Sequence, residues 1–131
     1  MTSRYLVRES DVQGYSPANH HGTVNQRLVS HANVGAQHME VVLGTLEKGG
    51  GALPHAHPGM EQACYLLEGA AEVEVQEPDG SWERFAMQPG DTCFFPQDVM
   101  HIFRVTSDMP VRLLVIYSPP YAENPARVRR P

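Results

Sequence analysis

Two histidines separated by one residue are the feature of this sequence best suited to bind a metal ion. His55 and His57 stand in the stretch PHAHPGMEQACYLLEG, residues 54–69. In a β-strand, side chains two residues apart lie on the same face, so both imidazoles point the same way. Burying two imidazoles is costly unless their nitrogens are used, and a divalent metal uses them. The spacing therefore favours a metal site over an ordinary strand that carries histidines.

A third imidazole is offered by His101, which follows the turn PQD and opens the segment HIFRV. Considered alone, a histidine at the start of a strand among apolar neighbours is more typical of a hydrogen-bonded core residue. Considered together with His55 and His57, it is the candidate for the third nitrogen ligand of a metal site.

The fourth ligand has two candidates, Gln62 and Glu61. Counting back from Gly69, strand alternation places Gln62 on one face and Glu61 on the other. If the first face points inward, Gln62 presents its amide oxygen to the metal, whereas a bend at Pro58–Gly59 would present Glu61 instead. A carboxylate is the stronger ligand because it offsets the charge of the metal. The spacing by itself leaves both candidates open.

The elements that must position these residues read as strands. Alternating apolar and polar residues, broken by turns that contain Gly or Pro, indicate roughly eight short strands between residues 27 and 118. This pattern predicts an all-β sandwich or barrel, and a jelly roll has a mouth in which a small ligand can bind. Residues 1–26 are predicted to form an irregular N-terminal arm. Residues 119–131 are predicted to form a C-terminal tail whose arginines lie on a loose end.

Length, composition and charge narrow the classes of function. The chain has 131 residues, of which 41% are hydrophobic and 19% are charged, as expected for one globular domain. We expect no membrane span and no secretory signal, and hence a cytoplasmic protein. The net charge of −5 without a basic stripe argues against nucleic-acid binding. Cys64 and Cys93 are predicted to be reduced core residues.

Two motifs resemble those of the small single-domain cupins. The first motif of that family runs G-x5-HxH-x(3,4)-E-x6-G, and its positions are occupied here by Gly49, His55, His57 and Gly69. The second runs G-x5-PxG-xx-H-x3-N, and its matching positions are Gly90, Pro96 and His101. Asp98 stands where the family often has Gly, and Val105 where it often has Asn. Together the motifs span residues 49–105, and this resemblance is more specific for fold and metal than for reaction.

The resemblance implies one cupin domain over residues 1–131, a jelly-roll barrel (double-stranded β-helix) that holds one divalent metal ion, Zn, Ni, Mn or Fe. The implied nitrogen ligands are His55, His57 and His101. The family's glutamate position falls on Gln62 when it is counted with the longer spacing, and on Glu61 with the shorter one. We prefer Gln62, because the glycine that ends the motif defines the strand register better than the preceding loop does.

A neutral ligand set leaves the metal with its full charge, which favours Lewis-acid chemistry on an anionic or enolisable substrate. The predicted function is therefore a metal-dependent cupin enzyme that acts on a small, partly apolar substrate as an isomerase, lyase or cyclase. The alternatives are an Fe-dependent dioxygenase, which a carboxylate ligand would favour, and a cupin that binds or senses a ligand without turnover. We expect a homodimer that pairs through edge strands such as VRLLVIY, residues 111–117.

The N-terminal arm offers two candidates for proton transfer, which water could also perform. In small cupins a leading segment can fold over the mouth of the barrel or cross to a neighbouring subunit. His20 or His21 would then supply a fourth imidazole or a catalytic proton carrier. The alternative is that YSPANHHGTVN, residues 15–25, is simply an exposed loop.

Overall fold

Eight antiparallel strands make up most of the computed structural model, which describes residues 3–18 and 20–131. They are β1 (His20–Val29), β2 (Glu40–Ala52), β3 (Glu61–Glu68), β4 (Ala71–Gln76), β5 (Trp82–Met87), β6 (Thr92–Phe95), β7 (His101–Val105) and β8 (Val111–Ser118). The helical elements are one short α-helix, α1 (His31–Val34), and two 3-10 turns, Glu9–Asp11 and Pro125–Arg127. The strands form a nearly closed jelly-roll barrel, which confirms the predicted all-β fold.

The long strand β2 connects the two halves of the barrel. The strand order is β5-β4-β7-β2-β8-β3-β6, and β1 pairs with β2 in addition. Because β8 lies between β2 and β3, both of its edges are already hydrogen-bonded. The prediction that residues 111–117 form an exposed edge for dimerisation was therefore wrong. A run of apolar residues marks a strand buried in a sheet as well as one at its edge, and alternation cannot distinguish the two.

The inward faces of the strands form the apolar core. Along β3 the buried residues are Gln62, Cys64 and Leu66. These are the alternate positions that counting back from Gly69 placed on one face of the strand. Both cysteines are reduced and buried, as predicted. The largest fully buried side chains include Phe95, Met60, Leu66, Val42, Val73 and Val111.

Glu74 departs from the sequence pattern. Its alternation with Val73 and Val75 predicted a solvated face, but Glu74 is only 7% exposed. Arg84 on β5 donates to Glu74 Oε1 at 2.9 Å, and Arg104 on β7 donates to Oε2. The two arginine side chains cover this carboxylate, because long side chains on neighbouring strands can shield a polar face from water.

Both ends of the chain are more ordered than predicted. Strand β1 begins at His20 rather than at residue 27, because pairing with β2, which starts at His20↔Ala52, stabilises a segment with little apolar alternation of its own. The tail is not loose, because Arg129 forms a β-bridge with Ala56. Among the described residues, no helix is long and apolar enough to cross a membrane.

Candidate metal centre

Three imidazoles from two separated stretches of the chain meet at the mouth of the barrel. His55 and His57 precede β3, and His101 is the first residue of β7. Their candidate ligand nitrogens all lie within 4.8 Å of one another. A backbone bridge between His55 and His101, with His101 N donating to His55 O at 2.9 Å, brings the two stretches together. This is the convergence that the spacing of the motifs predicted.

The second nitrogen of each ring is held by a backbone carbonyl. His55 Nδ1 lies 2.7 Å from Leu53 O, and His57 Nδ1 lies 2.8 Å from Arg127 O. His101 Nδ1 lies 3.3 Å from Val99 O. A carbonyl only accepts, so each Nδ1 carries the proton and donates it, which leaves each Nε2 as a lone-pair donor. Metal-binding histidines are oriented in this way by the groups behind them.

The buried nitrogens that face the centre have no other use within the described part of the chain. His57 is 3% exposed and His101 is 2% exposed, and the Nε2 atom of each has no hydrogen-bond partner there. Burial of a polar atom without a partner is costly, so a bound cation would satisfy both atoms at once. The group therefore fits a divalent metal ion, although its chemistry does not select one metal.

Burial also keeps these imidazoles neutral. It lowers the pKa of His55 to about 4, it lowers the pKa of His57, and it lowers the pKa of His101 well below its usual value. Neighbouring rings add to the shift for His55 and His101. A metal ligand must be unprotonated, so at neutral pH no proton has to leave these rings before an ion binds.

Gln62, not Glu61, lies inside the cavity. Gln62 is 8% exposed, and its Oε1 is buried without a hydrogen-bond partner among the described residues. Its Nε2 donates to Cys64 Sγ at 3.3 Å, which leaves the amide oxygen as the group available to the centre. Glu61 is exposed on the opposite face of β3, where it pairs with Ser118. Pro58–Gly59 does not shift the register.

The two histidines of the predicted N-terminal arm lie in different environments. His20 lines the cavity, its ring centroid lies 6.4 Å from that of His55, and its Nδ1 is buried without a partner among the described residues. Burial lowers its pKa to about 4. His21 lies outside the cavity and is exposed, and its Nε2 is 2.6 Å from Gly49 O. Since successive side chains of a strand point to opposite faces, only one of the pair can reach the centre.

The cavity around the centre has an apolar wall and a volume of about 70 Å³. Phe95 stacks on His101, with ring centroids 4.0 Å apart and planes 2° apart. Phe103, Leu113 and Val115 continue this wall on β7 and β8. The dimensions suit a compact molecule with an apolar part.

Four cavity residues with titratable side chains were missed by sequence reasoning: Tyr117, Tyr121, Glu123 and Arg130. Tyr117 continues the inward parity of Leu113 and Val115, so the alternation of VRLLVIY contained the signal that identifies it. The other three belong to the C-terminal segment, and the Tyr121 ring centroid lies 4.9 Å from that of His57. No local pattern indicates where an irregular tail packs. Burial raises the pKa values of both tyrosines, so each hydroxyl stays protonated at neutral pH.

Comparisons with known proteins agree with this geometry. A family model described as the cupin domain matches residues 42–117. Polyketide synthase CurC of Streptomyces cyaneus is 30% identical over 112 residues, which cover 86% of this chain and 70% of that protein.

Two solved structures share the fold. Oxalate decarboxylase of Lactobacillus farciminis, solved as a formate complex, superposes with a TM-score of 0.76 at 21% identity, covering 92% of this chain and 34% of its own. KdgF from Halomonas sp. superposes with a TM-score of 0.73 at 19% identity, covering 90% of this chain and 97% of its own. This chain thus corresponds to about a third of the decarboxylase and to nearly all of KdgF.

Proposed function

This chain belongs to the cupin family, and on that premise we propose that it is a metal-dependent enzyme that performs redox-neutral chemistry on a compact organic substrate. The observation that carries the proposal is the set of three neutral, carbonyl-oriented imidazoles with Gln62 beside them. A divalent ion held by His55, His57, His101 and the amide oxygen of Gln62 keeps its full charge, because every ligand is neutral. Bound there, the ion supplies a Lewis acid for a carbonyl or carboxylate oxygen of the substrate.

The other cavity side chains have roles that match proton transfer. His20 lines the cavity, is a neutral imidazole at neutral pH, and has a buried Nδ1 with no partner among the described residues, so it can accept a proton from a substrate held at the centre. The ring of Tyr121 packs beside that of His57, and its hydroxyl is protonated at neutral pH. This hydroxyl can donate a hydrogen bond to negative charge that develops on the substrate. The apolar wall lowers the local dielectric constant, which strengthens both interactions.

These roles favour an isomerase, lyase or cyclase that removes a proton next to a carbonyl group. The similarity to a protein named as a polyketide synthase supports a substrate rich in carbonyl groups. The position of Gln62 argues against a carboxylate-ligated dioxygenase, since the carboxylate of Glu61 is on the outer face of β3. The proposed partner is thus a small, enolisable, partly apolar molecule.

The test is hydrogen–deuterium exchange of acetoacetate in D2O, followed by NMR, with oxygen uptake recorded in parallel. The zinc-loaded protein is expected to accelerate exchange without consuming oxygen, and His20→Ala to slow the catalysed exchange by about 100-fold or more. His21→Ala is the matched control and is expected to behave as the unmodified protein.

Oxygen uptake that requires iron would replace this proposal with the dioxygenase reaction. If neither exchange nor oxygen uptake is seen with any loaded metal, the enzymatic proposal is wrong, and the alternative of a cupin that binds or senses a ligand without turnover is favoured.

We also propose that the chain forms a homodimer through the outer apolar face, defined as Ala63, Tyr65, Phe94 and Ile116. Phe94 on β6 and Ile116 on β8 are both in register with Ala63 on β3, so their side chains lie side by side. Tyr65, Phe94 and Ile116 are 41%, 52% and 38% exposed. A contiguous apolar face on a sheet is typical of a protein contact, and burial against a second copy would remove it from water.

A further inference from the structure

The C-terminal segment, residues 125–131 (the strap), is built into the metal centre. Ala56, the residue between the two ligand histidines, donates to Arg129 O at 2.8 Å and accepts from Arg129 N at 2.7 Å. Two residues earlier, the carbonyl of Arg127 accepts a hydrogen bond from His57 Nδ1 at 2.8 Å. The strap therefore forms an antiparallel β-bridge with the residue at the centre of the HxH motif.

The register of this pairing fixes which arginine faces the cavity. In an antiparallel pair, the residue after Arg129 lies opposite the residue before Ala56. Arg130 is thus opposite His55, and side chains on one face of such a pair are neighbours. Arg129 points to the other face, where its Nη2 donates to Asp98 O at 2.9 Å. The cavity lining agrees, since it includes Arg130 but not Arg129.

Arg130 lines the same cavity as His20, His55 and His57, so its charge acts on them. Its positive charge contributes to the lowered pKa values of His20, His55 and His57, after the larger effect of burial. Among the described cavity residues, Glu123 is the single carboxyl group; burial raises its pKa, and the charges of Arg27 and Arg130 oppose that rise. The histidines are neutral, so a metal ion and Arg130 together give this cavity an excess of positive charge that suits an anion.

We propose that Arg130 recognises a carboxylate group of the ligand, so that the substrate is a compact carboxylic acid with its apolar part against Phe95 and Phe103. A guanidinium pairs with a carboxylate through two parallel hydrogen bonds, which sets orientation as well as affinity. This inference rests on the proposed function for the metal, but the arginine belongs to the strap and is separable from the metal ligands. Arg130 is a specificity-determining residue that distinguishes an acid from its neutral analogue.

The experiment compares pyruvate with its neutral amide, pyruvamide, by calorimetric titration of the zinc-loaded protein. The unmodified protein is expected to bind pyruvate more tightly than pyruvamide. Arg130→Gln should weaken pyruvate binding by about tenfold or more and leave pyruvamide binding unchanged. The pyruvate affinity of Arg130→Lys should lie between those of the unmodified protein and Arg130→Gln, because lysine keeps the charge but cannot form two parallel hydrogen bonds. Arg129→Gln removes the same charge one residue away, on the other face, and should bind both probes as the unmodified protein does.

Zinc affinity, measured by competition with a chelator, separates recognition from damage to the strap. Arg130→Gln should bind zinc at least as tightly as the unmodified protein, since it removes a positive charge near the ligands, whereas a misplaced strap would weaken zinc binding. The proposal is overturned if both glutamine variants lose pyruvate affinity equally, or if pyruvate binds no better than pyruvamide.

Failure of the metal proposal would give a different result. If the protein holds no zinc, the same titrations on the metal-free protein still compare Arg130→Gln with Arg129→Gln. A pyruvate preference that depends on Arg130 there would keep this inference and reject the metal. If the metal-free protein shows no pyruvate preference that depends on Arg130, the inference is wrong.

Discussion

At the scale of single residues, each histidine of the centre depends on the carbonyl behind it. Leu53, Arg127 and Val99 each offer a backbone oxygen to the Nδ1 of one ring. None of these contacts needs a particular side chain at the acceptor position, so the tautomers are set by backbone geometry. The amide of Gln62 follows the same logic, since its bond to Cys64 leaves the oxygen for the centre.

The ligand role of Gln62 gives the first prediction. Gln62→Ala is expected to weaken metal binding by about 10- to 100-fold, because it removes one oxygen donor from the centre. Glu61→Ala, its neighbour on the outer face, should have no effect. Competition of both variants with a fluorescent chelator measures the difference. Loss of affinity in the Glu61 variant alone would show that the register of β3 is not the one described.

Glu40 gives a prediction about pH. Its carboxylate is 1% exposed, accepts from Ala122 N at 3.1 and 3.3 Å, and lies 3.9 Å from Arg27 Nε. Burial is the main reason that its pKa is raised above the usual 4.5. The folded state therefore holds this proton more tightly than the unfolded chain. The associated stability is present below pH 4.5 and is lost as pH rises through the folded-state pKa.

Glu40→Gln removes this titration and keeps an oxygen acceptor for Ala122. The free energy of unfolding of the variant, relative to the unmodified protein, is expected to be larger at about pH 7 than at about pH 4. Urea denaturation at both pH values measures it. A relative stability that is constant with pH, or that falls as pH rises, would contradict the raised pKa.

At the scale of elements, the turn between β3 and β4 keeps β3 in the register that turns Gln62 inward. Gly69 in this turn has φ +90°, a left-handed conformation that residues with a Cβ rarely adopt. A Cβ atom here would lie 2.9 Å from Val111 Cγ2 and 3.0 Å from Pro110 O. Gly80, in the β4–β5 turn, has φ +89° but no heavy atom within 4 Å of the same position.

The two glycines form a matched pair for mutation. Gly80→Ala is expected to lower the free energy of unfolding by about 1 kcal/mol, because alanine must adopt the left-handed backbone conformation there. Gly69→Ala should cost about 1–3 kcal/mol more, because it also overpacks the turn. Thermal or urea unfolding of both variants gives the comparison. Equal costs would mean that the turn accommodates the extra methyl group and does not constrain the register.

The sequence was sufficient to predict those features that depend on residues close together in the chain or on a recognisable motif. Alternation and turn residues predicted the strands of the barrel, and the two motifs predicted that His101 would meet His55 and His57. Arg130 and Glu123 were not predicted, because their positions depend on where an irregular tail packs, and that depends on contacts distant in sequence. The burial of Glu74 was missed for a similar reason, since the arginines that cover it come from two other strands.

At the scale of the whole molecule, the metal centre and the proposed dimer interface occupy different parts of the barrel. Strand β1 contributes His20 to the cavity and the strap contributes Arg130, so the site is complete only when both segments are in place. The outer apolar face lies on the far side of β3 from Gln62, because odd and even residues of the strand point to opposite faces. Assembly and metal binding should therefore be separable.

This separation can be tested with Phe94→Glu, which places a charge in the outer apolar face. The unmodified protein is expected to be a dimer by light scattering, and the variant a monomer with unchanged metal content. Trp82→Glu is the control, since Trp82 is 40% exposed on β5, which pairs with β4 and with none of the strands that form this face. A monomeric unmodified protein, or a Phe94→Glu variant that stays dimeric, would rule out this interface.

The most direct test of the central claim is the metal content of the protein purified without chelators, determined by elemental analysis beside a His101→Gln variant. If imidazoles from two distant stretches hold one cation, the unmodified protein carries close to one equivalent of a divalent metal per chain. The variant, folded as judged by circular dichroism, loses most of it. An unmodified protein that takes up no divalent metal, or a variant that keeps the full equivalent, would contradict the account.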